Sequence, residues 1–175
     1  MQSYSELVNR LLMDDGECLR KLHPSEPGDS IAIRRVREAS DADLTGGNPA
    51  GPLLPAVRAG LFYFFDALDE AHRLVQDLSG DLAAYWHGMV HRREGDFDNA
   101  RYWFRRAGEL PHFSQLHRAA SEESAVVARQ ITWDPYLFTG LCEQHKFGGE
   151  EEDLVSLQRI EFEVTFDYTW RQAVR

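Results

Sequence analysis

The sequence predicts an all-α fold, a single compact bundle of roughly six helices over residues 1–175. Three observations carry this expectation. Between Pro55 and Leu78 the apolar residues Leu61, Phe65, Leu68, Val75 and Leu78 recur at helical spacing, broadened by Phe62 and Phe64. "SGD" at Ser79–Asp81 and "GD" at Gly95–Asp96 then punctuate a run of further helical patterns. Strand-like alternation is confined to one segment near the C-terminus, and only "SIAIRRV" offers it a partner.

Taken in order, Ser3 caps a short helix through about Met13 with Leu7, Leu11 and Leu12 on one side. Residues 15–55 read largely as loop, because "HPSEPGDS" and "SDADLTGGNPAGPLLP" are rich in breakers; the segment Ile31–Val36 reads equally as helix or strand. A single long helix is expected from Pro55 to Leu78. The next runs from about Leu82 to Glu94, where Gly95 breaks it, and Asp96 caps another to Ala107 before Gly108 and Pro111. Further helices are expected over Phe113–Gln130 and from Pro135 to about His145, with "KFGGEEED" as a turn. In "RIEFEVTFDYTWRQ", Ile160, Phe162, Val164, Phe166, Tyr168 and Trp170 alternate as in a strand. Leu154, Leu157, Glu161, Val164 and Tyr168 also share a helical face, and acidic residues at 150–153 suit a helix start. Helix is the expectation for this segment.

Composition narrows the function classes. A formal net charge of −10 argues against a protein-wide attraction to nucleic acid or an anionic membrane. No uncharged apolar run approaches membrane-spanning length, and the N-terminus lacks the basic and apolar regions of a signal peptide. Cys18 and Cys142 fit no metal or redox spacing, and a reducing, cytoplasmic setting is the simplest expectation.

The chemistry-bearing residues concentrate in "YWHGMVHRREGDFDNARYWFRR", Tyr85–Arg106. His87 and His91 are four residues apart and share a helix face. The preceding helix brings Asp69 and His72, also on one face. His72 and His87 lie at similar distances from Gly80, as do Asp69 and His91, about 10–16 Å from the turn at 1.5 Å per residue. Antiparallel packing would let the pairs meet. Three imidazoles and a carboxylate form a ligand set for zinc or another divalent transition metal, with Glu94 as extra ligand, orienting group or general base. The simpler reading of the same residues is a buried network hydrogen-bonded to Asp69, Glu94 or backbone carbonyls, and a third is histidines on the surface. H-x3-H lacks the intervening Glu of the zincin motif.

Arg92, Arg93, Arg101, Arg105 and Arg106 stand against Glu94, Asp96 and Asp98, a local net +2. Beside Tyr85, Trp86, Tyr102 and Trp103, such guanidinium groups would bind a small anionic molecule or peptide while a ring stacks on it. The bland alternative is ion pairing with carboxylates elsewhere and compensation of a helix dipole. No phosphate loop, dinucleotide fingerprint or nucleophile elbow is present.

"HGMVHRREGDFDNARYWFRRAGELP" resembles a single tetratricopeptide repeat. Gly88 stands at its small position, Gly95-Asp96-Phe97 at its turn, and Ala100 and Phe104 match its Ala-x3-Phe spacing, while His87 and His91 replace the inward Leu and Tyr. The resemblance implies a helical hairpin at 82–107. From "AGLFYFFDALDEAH" through "WDPYLF" the chain is also similar to a family of microbial proteins whose hallmark is an H-x3-H-R-R-E run followed by an aromatic-arginine helix. That resemblance implies no particular activity. Because no motif specifies a reaction, the residues are read first as a ligand- or partner-binding helical module, with a metal-dependent, hydrolase-like enzyme using Asp69, His72, His87 and His91 as the alternative.

Overall fold

A computed structural model describes residues 4–13, 18–146 and 152–174, and among them regular structure is helical. Helix α1 (Glu6–Met13) starts where the Ser5 hydroxyl accepts from the Val8 amide at 3.1 Å. The expected Ser3 cap lies outside the described residues. The region expected as loop holds two helices, α2 (Ser30–Glu38) and α3 (Asp41–Thr45). Asp29 accepts from the Ile31 amide at 2.7 Å to start α2. Ser40 and Asp43 bond each other's backbone amides in a capping box, and Gly46, at φ +64°, ends α3. Local polar chemistry therefore supplies helix starts that the density of Gly and Pro concealed.

The single helix expected from Pro55 to Leu78 is two, α4 (Leu54–Phe64) and α5 (Leu68–Val75). Asp66 sits at φ +58°, which ends α4. The Phe65 carbonyl accepts from the Gly28 amide at 2.9 Å instead of continuing the helix. The Asp66 carboxylate meets Arg93 at 2.5 Å, a charge-assisted contact that offsets the left-handed backbone. The apolar stripe crosses this break uninterrupted, so periodicity could not reveal it.

Helices α6 (Asp81–Glu94) and α7 (Phe97–Ala107) are joined through Gly95, at φ +78°, and Asp96, whose side chain accepts from the Asn99 amide. Their close approach depends on Gly88: a Cβ there would lie 2.6 Å from the Phe104 ring. Beyond them, α8 (Phe113–Glu123) stops at Ser124, whose hydroxyl caps the short α9 (Ala125–Ala128), so the expected helix 113–130 is also divided. In α10 (Pro135–His145), Asp134 accepts from the Tyr136 and Leu137 amides and Pro135 occupies the first turn. Most of the "KFGGEEED" turn lies outside the described residues.

The last helix, α11 (Glu152–Ala173), settles the ambiguous segment as helix. Leu157, Phe162, Phe166, Trp170 and Ala173 are buried, but so are Gln158, Glu161, Thr165 and Thr169. The strand-like alternation arises because one helical face carries buried polar groups that have partners elsewhere. Trp86 Nε1 donates to Thr169 Oγ1 at 2.9 Å, Tyr85 Oη donates to Glu161 at 2.7 Å, and Gln158 Nε2 donates to the Lys21 carbonyl at 3.1 Å. After α11, the Gly51 amide donates to the Ala173 carbonyl at 2.7 Å and pins the end of the helix beside α4. Helix α6 lies inside the bundle, packed by α4, α5 and α7, with Leu82 to Arg93 buried without exception. Among the described residues no helix is long and apolar enough to cross a membrane.

Candidate metal centre

An interior helix such as α6 presents its side chains from Leu82 to Arg93 to protein, so their polar groups must find partners. His87 and His91, one turn apart, face the seam with α5, where His72 meets them. One ring nitrogen from each lies within 4.8 Å of the others. The Nε2 atoms of His72 and His87 are 2.9 Å apart, and the His72 ring lies 4.6 Å from that of His91. His87 and His91 are 4% and 7% exposed, whereas His72 retains part of its surface.

Glu94 completes the arrangement one turn beyond His91. Its carboxylate contacts His72 Nδ1 at 3.0 Å and His91 Nδ1 at 3.1 Å. Accepting from His72 Nδ1–H fixes the tautomer in which the His72 Nε2 presents a lone pair, whereas His91 Nδ1 meets the carboxylate as a charge contact outside hydrogen-bond geometry. Burial opposes the charge on Glu94, but the close imidazoles of His91 and His72 outweigh it and hold the carboxyl below its usual range. Burial, followed by the neighbouring imidazoles His91 and His72, pushes His87 down to about 4 despite the opposing Glu94. His87 is therefore neutral at physiological pH, the form that ligates a metal.

A tetrahedral zinc ion with nitrogen bonds of about 2.0–2.1 Å spaces its ligands by about 3.3 Å. The 2.9 Å pair and the 4.8 Å outer limit bracket that spacing. The donor set therefore fits a borderline divalent ion such as zinc, with small adjustments of three rings. The same 2.9 Å contact also suits a hydrogen bond donated by His87 to His72, which would leave the buried His87 Nδ1 as a bare acceptor. That atom has no hydrogen-bond partner.

Asp69 is not part of the triad. It is exposed, and it lines a cavity of about 270 Å³ together with Asp66, Glu70 and Glu94. The sequence expectation paired Asp69 with His91 by counting residues as though both helices ran to Gly80. Helix α5 ends at Val75, so the register slips and Asp69 comes level with Glu94 instead. Glu94 is the carboxylate nearest the histidines, with Asp96 3.8 Å from His91 Nδ1.

The expectation that Arg92 and Arg93 grip an external anion is corrected by their burial, each at 1% exposure. Arg92 forms a two-pronged ion pair with Glu161 and lies over the Phe138 ring at 4.3 Å. Burial works against its charge, yet Glu161 outweighs that and raises its pKa further. Arg93 donates to Asp66 and, at 2.8 Å, to the Tyr63 carbonyl. Tyr85 and Trp86 are likewise buried and bonded to α11, while Tyr102 is 47% exposed beneath Arg106. Glu161 escaped the sequence reading because no local signal links it to Arg92. Trp103 also acquires a specific place: its indole stacks on His87 with centroids 4.0 Å apart and planes at 19°.

A second, larger cavity of about 470 Å³ lies away from the triad, between the end of α7, the start of α8 and the segment before α10. Phe104, Phe113, Trp133 and Tyr136 line it, with fully exposed Ile131 at its rim. No family model, no curated protein and no solved structure matches the chain.

Proposed function

We propose that this protein binds one divalent transition metal ion of the zinc type through His72, His87 and His91, with Glu94 orienting two of the rings. The observation that carries this reading is the convergence of three imidazoles, two of them held by one carboxylate, on a seam inside the bundle. Three protein ligands leave a fourth position for water or substrate, the pattern of catalytic rather than structural zinc sites. A bound ion would lower the pKa of that water, while Glu94, on the Nδ1 side of the rings, would orient the ligands rather than touch the water. Metal-assisted hydrolysis is accordingly the reaction class the site suits. The acidic lining of the adjoining cavity disfavours an anionic ligand there.

The apolar cavity lined by Phe104, Phe113 and Trp133 supports a second reading, a module binding an apolar small molecule or peptide segment. The spacing of Gly88, Gly95, Ala100 and Phe104 supports reading α6 and α7 as a tetratricopeptide-like hairpin in either case.

Elemental analysis separates the readings. The purified protein, or the chelator-treated protein supplied with zinc, is expected to hold close to one ion per chain, and the combined His87→Ala and His91→Ala substitutions to abolish it. Absence of bound metal after zinc addition would refute the metal reading and leave the apolar cavity as the functional candidate.

A further inference from the structure

The three histidines are not supported in the same way. His72 and His91 each direct Nδ1 at Glu94, at 3.0 and 3.1 Å. The buried Nδ1 atoms of His87 and His91 both lack a hydrogen-bond partner, but His91 has the Glu94 carboxylate against it and His87 has none. A histidine ligand without an orienting hydrogen bond is free to rotate about χ2 unless packing holds its plane. Two flat neighbours hold it here. Trp103 lies against the ring at 4.0 Å and 19°, and His91 at 4.8 Å and 11°. Arg106 lies 5.3 Å from the Trp103 ring centroid and helps to fix the indole.

We propose that Trp103 is the positioning residue of the third metal ligand: stacking does for His87 what Glu94 does for His72 by hydrogen bonding and for His91 by charge contact. This inference rests on the metal reading above. Trp103 lies on α7, so the hairpin that brings α7 against α6 also sets the plane of a ligand on α6. The consequence is specific. An aromatic ring at 103 maintains the site, whereas an aliphatic side chain of similar apolar character does not.

Cobalt(II) titration of the full chain tests this, because its visible absorption reports coordination geometry and its binding curve reports affinity. Trp103→Phe and Trp103→Leu are compared with the wild type after circular dichroism has shown that each is folded. Trp103 is only partly buried, so both replacements are expected to be tolerated by the fold. Trp103→Leu is expected to weaken cobalt binding about tenfold or more and to alter the absorption band, while Trp103→Phe stays within about threefold. Equal affinity and spectrum in Trp103→Leu and wild type would overturn the stacking role. Equal weakening by Phe and Leu would also overturn it, by assigning the effect to side-chain bulk. A wild-type protein that binds neither cobalt nor zinc fails at the first titration and overturns the metal reading itself.

Discussion

Replacing Glu161 by Gln should be among the most damaging single changes in the molecule. Glu161 is fully buried and Arg92 is 1% exposed, so the guanidinium has no route to water when its counter-charge is lost. Breaking one side of a buried ion pair costs about 3–5 kcal/mol, because the remaining charge keeps its desolvation penalty without the attraction that offset it. The amide still accepts from Tyr85 Oη, which confines the loss to the charge rather than the whole network. For a chain of 175 residues, at about 2–4 °C per kcal/mol, the melting temperature should fall by about 6–20 °C. Urea unfolding at pH 7 followed by circular dichroism measures the free energy directly. Adding Arg92→Met to Glu161→Gln removes the orphaned charge and should restore all but about 1–2 kcal/mol. A loss below about 1 kcal/mol for Glu161→Gln, or no recovery in the double variant, would refute the assignment of Arg92 to internal pairing. Arg92 would then be available to a ligand after all.

Other positions give sharper local tests. His87 and His112 are both held down to about 4, by burial in each case, and unfolding returns them toward 6.5. The unfolded chain then binds more protons between those values, so stability should be full above pH 6.5 and fall as pH drops toward 4. Urea midpoints from pH 7 to 5 measure this, and His112→Phe should flatten the decline; an unchanged slope would count against its buried neutral state. Asp66→Ala should cost about 3–5 kcal/mol, since it strands Arg93 and leaves a β-carbon at φ +58°. Asp66→Asn, which tolerates that backbone and keeps an acceptor, should cost clearly less in the same unfolding assay. Gly88→Ala places a methyl group 2.6 Å from the Phe104 ring and should destabilise by about 1–3 kcal/mol. Thermal melts check this, and a neutral result would show that Phe104 can give way.

What the chain determines by itself is local. The Gly95-Asp96 turn, the Asp96 cap, the helix start at Pro135 and the four-residue spacing of His87 and His91 depend on residues within about one helical turn, and all were legible before any fold was known. The helical hairpin and the common face of its two histidines follow from them. Other features depend on partners distant in sequence. Arg92 and Glu161 are separated by 69 residues, Arg93 and Asp66 by 27, and each carboxylate looks locally like any solvated acid. Only packing shows that these arginines face inward, that α11 alternates because its polar face is buried, and that Asp66 ends α4. The site divides along the same line. His72, His87 and His91 could be nominated from spacing, but exchanging Asp69 for Glu94 required knowing where α5 stops. Hydrophobic periodicity records which face is covered, whereas the chemistry of a site depends on what covers it, and that is decided when the helices meet.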